Sequence, residues 1–181
     1  FDCHWRYNVQ DAIRLAHALE PYDIAFLEDP VPPENIEAQR IMSQAVKTTI
    51  SSGENRYLRS GFREILEGHA LGMIAPDIQK VGGLLEAKRI ADMADTYYVN
   101  VAPHNISSPI GTFASCHVAA SIPNFFALEF HAADVPFWND LILGADEPVI
   151  KNGYIHLSDK PGIGIELNEE VAKKYAKPGE L

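Results

Sequence analysis

Six side chains that can carry a charge or a proton, Asp2, Glu28, Glu54, Asp77, His104 and Glu129, recur at gaps of 26, 26, 23, 27 and 25 residues. Most of them close a short apolar run: Leu27 precedes Glu28, Ile74 comes just before Asp77, Val101 before His104 and Leu128 before Glu129. A repeat of that length holds one strand, one helix and two loops. Strands joined through helices run parallel, so their carboxyl ends share one rim. A polar residue at each strand end is how a parallel β/α barrel builds a site. The period therefore predicts an α/β fold, a partial TIM-type (β/α) barrel of about six units. A complete barrel takes about 250 residues. This chain has 181 and opens on Phe1-Asp2-Cys3-His4, which reads as the end of a strand. The expectation is a barrel whose first units lie upstream.

Residues 1–131 carry the period and are expected to form the barrel with its site; residues 132–181 are expected to form a C-terminal extension that packs on the barrel or on a further domain. Asn8 is a candidate N-cap for a helix over 9–19. Strands are expected at 24–27, 49–52, 73–75, 98–102 and 125–128, with helices over 34–46, 61–67, 83–94 and 109–121. Pro109 is tolerated in a first helical turn. Beyond His131 the period breaks. Asn152-Gly153 inside Val149–Leu157 is a strong hairpin signal, so the tail should carry a β-hairpin, followed by a short helix over 169–175 that ends at Lys177-Pro178-Gly179.

A net charge of −10 argues against nucleic acid or an anionic membrane as partner, because either favours a basic face. No run approaches the roughly 18 apolar residues of a membrane helix. Cys3 and Cys116, without a spacing pattern, read as reduced packing residues of a cytoplasmic protein.

Asp2, Glu28 and Glu54 stand at three consecutive strand ends. Neighbouring strands lie about 4.8 Å apart, so the three carboxylates can meet one hard cation, and Mg²⁺ suits an all-oxygen set. Singly, each is more often an ordinary solvated acid at a loop start; the even spacing of three favours the metal. Asp77 and His104 sit on adjacent strand ends. A carboxylate on one imidazole nitrogen orients the ring and leaves the other nitrogen as a base near neutral pH, although a His capping a loop gives the same sequence. Glu129 faces the same mouth, as a substrate contact or a simple ion pair. On a strand, His4 would point to the same face as Asp2, as a proton donor, a further ligand or a partner of one. Asn55 and His131, beside Glu54 and Glu129, are candidate substrate contacts. Gly82-Gly83 lacks dinucleotide spacing and is assigned to a turn.

The segments Phe1-Asp2-Cys3-His4, Leu27-Glu28-Asp29-Pro30, Ser52-Gly53-Glu54-Asn55, Pro76-Asp77, Ala102-Pro103-His104-Asn105 and Leu128-Glu129-Phe130 together resemble the carboxyl-terminal barrel of the mandelate racemase and muconate-lactonizing group of the enolase superfamily. The resemblance implies Mg²⁺ on Asp2, Glu28 and Glu54. It implies that His104, oriented by Asp77, moves a proton at the carbon next to a carboxylate. A His two residues after the first ligand is similar to the sugar-acid dehydratases of the galactonate dehydratase kind. That similarity gives His4 the protonation of a departing β-hydroxyl and Glu129 a contact to the intermediate. The implied protein is a hydro-lyase that turns an aldonate into a 2-keto-3-deoxy acid, and a homo-oligomer at full length. A racemase or epimerase on the same metal site, and a scaffold without catalysis, are the alternatives. With two barrel strands and the group's capping domain outside it, the chain alone is expected to be inactive.

Overall fold

A computed structural model describes residues 1–132 and 134–177. In chain order the elements are α1 (Val9–Leu19), β1 (Leu27–Glu28), α2 (Ile36–Ala45), β2 (Ile50–Ser52), α3 (Leu58–Glu67), β3 (Met73–Ile74), α4 (Leu84–Asp95), β4 (Asn100–Val101), α5 (Pro109–Ala120), β5 (Ile142–Leu143), β6 (Glu166–Leu167) and α6 (Glu169–Tyr175). Several helices begin at a side chain that satisfies a free backbone N–H. Asn8 accepts from the Asp11 N–H at 3.0 Å and Asn35 from the Ala38 N–H at 3.0 Å. Ser108 caps α5, and Pro109 fills its first turn. Pro178 and Gly179, the expected stop after α6, lie outside the described residues.

The four strands β1-β2-β3-β4 form one parallel sheet in chain order. Single parallel bridges extend it at both sides, Asp2 to Glu28 and Phe125 to Val101. The expected strand over 125–128 is thus reduced to one bridge, held by the Phe126 N–H on the Val101 carbonyl at 2.8 Å. Among the described residues nothing pairs on its outer side. The sheet is curved. Phe26, at the second of six strand positions, meets Phe126, at the sixth, edge to face with centroids 6.0 Å apart. Four flat spacings of about 4.8 Å would separate them by roughly 19 Å. The wall therefore bends as a barrel wall does, with α1 to α5 outside it.

Leu27, Ile50, Ile74 and Val101 put one fully buried side chain from each strand into the main core, where Met42, Phe62 and Ile90 arrive from the helices. Phe113 on α5 joins Trp138, Ile142 and Val149 in a second cluster, which fixes the tail against the barrel. The expected tail hairpin is only partly present. Asn152 and Gly153 do adopt positive φ, 53° and 81°, but a single Lys151–Tyr154 bridge follows from them. The longer pairing is β5 with β6, antiparallel, between segments with no local signal linking them. Among the described residues, no helix is long and apolar enough to cross a membrane.

Candidate active site

The strand ends converge on His104, which is buried. Its Nδ1 lies 2.8 Å from Asp77 Oδ2, its Nε2 3.4 Å from Glu54 Oε2 and 3.9 Å from Glu129 Oε2. Asp77 also accepts the Gln79 N–H at 2.9 Å and has the Lys80 ammonium at 3.4 Å. Burial alone would raise the Asp77 carboxyl, but the His104 and Gln79 hydrogen bonds and the Lys80 charge outweigh it and hold the group below its ordinary value. Asp77 is thus ionised, so His104 Nδ1 donates to it, and Nε2, whose lone pair is free whenever the ring is neutral, faces the mouth. Burial opposes protonation of His104, yet the Asp77 bond and the charges of Glu54 and Glu129 raise its affinity for a proton.

Glu129 is held from two sides. The Asn105 N–H donates to Oε2 at 2.8 Å, and the half-exposed His131 meets Oε1 through Nε2 at 2.9 Å. Sequence spacing did not anticipate that Glu54, assigned to a metal, would also touch His104.

The three metal candidates lie side by side on the rim. Asp2 bridges Glu28, and Glu28 pairs in register with Ser51, three residues before Glu54. Burial, then the charges of Glu129, Asp29, Asp2 and Glu54, push the Glu28 carboxyl up to about 7. Buried Asp29 has no hydrogen-bond partner on either oxygen. Burial, with the charges of Glu54 and Asp2 beside it, lifts it to about 6. Among the described residues, the sole charged partner of the three ligand candidates is His104 against Glu54. An all-carboxylate set, crowded and short of positive charge, fits a hard divalent cation. Among the described residues the side chains are not drawn together into a finished ligand sphere.

Glu54 is placed by its surroundings. Gly53 has φ 144°, and a Cβ there would come 3.0 Å from the Phe62 ring, so the strand end lies flat on a fully buried aromatic. Arg56 donates to the Pro33 carbonyl at 2.5 Å and the Gly61 carbonyl at 3.3 Å, locking the two loops that flank the rim.

One candidate sits differently from the sequence reading. His4 is not on a strand. It and Trp5 have φ 48° and 59°, so alternation of side chains does not aim His4 to the face of Asp2. Instead its N–H donates to Asp2 Oδ1 at 2.9 Å, and its exposed ring lies on Trp5, centroids 4.3 Å apart. Asn55 lines a groove with Trp5, Pro32, Pro33 and Arg56. Both cysteines are free, their thiols pushed up to about 11, chiefly by burial.

The fold and the rim define a β/α-barrel domain with a carboxylate–imidazole site at its strand ends. A family model described as enolase C-terminal domain-like matches residues 1–171, and the chain belongs to that family. It is 47% identical over 180 residues to the D-xylonate dehydratase of Haloferax volcanii, covering 99% of this chain and 43% of that protein. It is 31% identical over 177 residues to the D-galactonate dehydratase of Xanthomonas euvesicatoria, covering 96% and 46%. A mandelate racemase/muconate lactonizing enzyme-like protein from Rubrobacter xylanophilus superposes with a TM-score of 0.94 at 45% identity, over 97% of this chain and 44% of that one. The chain spans less than half the length of the relatives it matches.

Proposed function

We propose that the protein carrying this chain removes water from an aldonate, giving a 2-keto-3-deoxy acid. The observation that carries the reading is the Asp77–His104 pair at 2.8 Å, with Nε2 turned to a rim of carboxylates. In this reading His104 Nε2 takes the proton from the carbon beside the substrate carboxylate. Ionised Asp77 keeps the ring in the right tautomer and stabilises the imidazolium that forms. Asp2, Glu28 and Glu54 would hold Mg²⁺, which supplies positive charge opposite the substrate carboxylate. Glu129, fixed by Asn105 and His131, contacts the reacting carbon's oxygen. His4, from the Asp2 side, protonates the departing β-hydroxyl, which leaves as water. The enol left behind becomes the ketone. Asn55 and His131 contact the remaining hydroxyls.

The 47% relative makes D-xylonate the first acid to try. The proposed enzyme works in the cytoplasm as a homo-oligomer, and the activity belongs to the full-length polypeptide, with residues 1–131 as its barrel part. The test is incubation of that polypeptide with Mg²⁺ and a panel of aldonates, with EDTA and His104→Asn as controls. Keto-deoxy product that vanishes in both controls is the expected result. Deuterium exchange at the α-carbon without product would move the assignment to an isomerase, and neither signal from any acid would sink the catalytic reading.

A further inference from the structure

Asn105 is 2% exposed, and in the chemistry above only its backbone N–H is used, on Glu129. Buried polar side chains are retained where their hydrogen bonds are made, and Asn105 makes an unusual set. Its Nδ2 donates to the Glu129 carbonyl at 3.0 Å and to Thr112 Oγ1 at 3.1 Å, while its backbone N–H holds the Glu129 carboxylate. Its Oδ1 accepts from Ser107 Oγ at 2.5 Å. Ser107 Oγ in turn accepts from Gln79 Nε2 at 2.8 Å, and the Gln79 N–H is on Asp77 Oδ1 at 2.9 Å. A closed path therefore runs Asp77–Gln79–Ser107–Asn105–Glu129, beside the direct path Asp77–His104–Glu129. Gly111 lets the second path pass: a Cβ there would come 2.8 Å from Gln79 Cδ and 2.8 Å from Ser107 Cβ. Trp138, from the tail, donates to the Ser107 carbonyl at 3.0 Å and packs edge to face on Phe130, beside Glu129.

We propose that Asn105 is a positioning residue that fixes Glu129 at its distance from His104, through bonds to both the main chain and the carboxylate of Glu129 and through the Ser107–Gln79 link to Asp77. The inference rests on the reading of Glu129 as a substrate contact. Its mechanical content stands without it. A group held on rigid partners within a few tenths of an ångström contributes more in the transition state than in the ground state.

The test uses Asn105→Asp in the full-length protein. The variant keeps volume and the Ser107 bond but sets an oxygen against the Glu129 carbonyl. Thr112→Val is the milder second variant. Amide exchange in segments 103–107 and 126–131 should quicken about tenfold, while the helix α3 exchanges as in the wild type. Turnover should fall about tenfold with KM within about twofold, and in a Glu129→Gln background the same change should cost less than about twofold more. A purely structural loss would multiply with Glu129→Gln instead. Unchanged exchange in both segments, or losses that multiply, overturn the proposal. If the wild type turns over no acid, the dehydratase reading fails and the exchange result alone decides the positioning role.

Discussion

Replacing Asp77 with asparagine removes one charge and hardly any volume. The side chain of Asp77 is 5% exposed and takes two hydrogen bonds, from His104 Nδ1 at 2.8 Å and the Gln79 N–H at 2.9 Å. Asparagine has one acceptor oxygen for these two donors. If the oxygen stays on Gln79, the amide NH₂ faces Nδ1 and drives the imidazole proton to Nε2. The lone pair then points away from the mouth. Loss of a hydrogen bond to a charged group costs about 1.5–3 kcal/mol, and loss of a positioned base lowers turnover roughly a hundred- to ten-thousand-fold. The pH dependence follows from the depressed Asp77 value. Such a group contributes its stability in full above the ordinary carboxylate value of about 3.9 and loses it as pH falls through the lower folded value. The raised His104 value adds a second limb, present in full below the ordinary imidazole value and lost as pH rises through the folded one, so the stability gap between wild type and Asp77→Asn should be widest in mild acid, where Asp77 is ionised and His104 protonated, and close in strong acid. Urea unfolding from pH 7 downward and turnover of the full-length protein measure both quantities. A variant that retains more than about a tenth of wild-type turnover, or a gap that persists unchanged into strong acid, refutes the argument.

Phe62 is fully buried beneath Gly53, so Phe62→Ala should lower unfolding free energy by about 3–5 kcal/mol in a denaturant titration and also weaken whatever Glu54 binds. Mg²⁺ should raise the melting temperature of the full-length protein. Above the Glu28 value of about 7, where its carboxyl is ionised, Glu28→Gln removes a charge from the crowded rim and should raise the melting temperature without metal and abolish the rise with it; an unchanged Mg²⁺ response in the variant would exclude Glu28 as a ligand. Gly111→Ala should cost about 1–3 kcal/mol by thermal unfolding, because the new methyl group meets Gln79 and Ser107 at once.

The barrel wall and its rim were legible because the units repeat one instruction: an apolar run, an acid or imidazole, then a helix, which in several units opens on a capping side chain. Asn8 and Ser108 gave two helix starts to the residue, and the spacing of Asp77 and His104 put them on neighbouring strands. The strands came out shorter than the apolar runs suggested, since runs such as 98–102 are ladder-paired over two residues only. His4 escaped because alternation holds only where the backbone is extended, and a positive φ is not written in the residue type. The β5–β6 pairing escaped because more than twenty residues separate its strands without a turn signal joining them. Asn105 and Thr112 look like loop and helix polar residues; only the fold shows that Asn105 is buried against Glu129 and Thr112 against Asn105.

The meeting of Phe26 with Phe126 bears on how the molecule comes into being. Each β/α unit closes contacts over some 25 residues, cheap in loop entropy and quick to form. The seam between the second and sixth strand positions spans about a hundred residues and can close only when the units between them are in place. Glu129 reaches the other acids through that same closure. The wall can therefore assemble unit by unit, with Asp77 and His104 meeting between neighbouring strands, whereas Glu28 and Glu129 come to share one rim only when the whole wall has curved round.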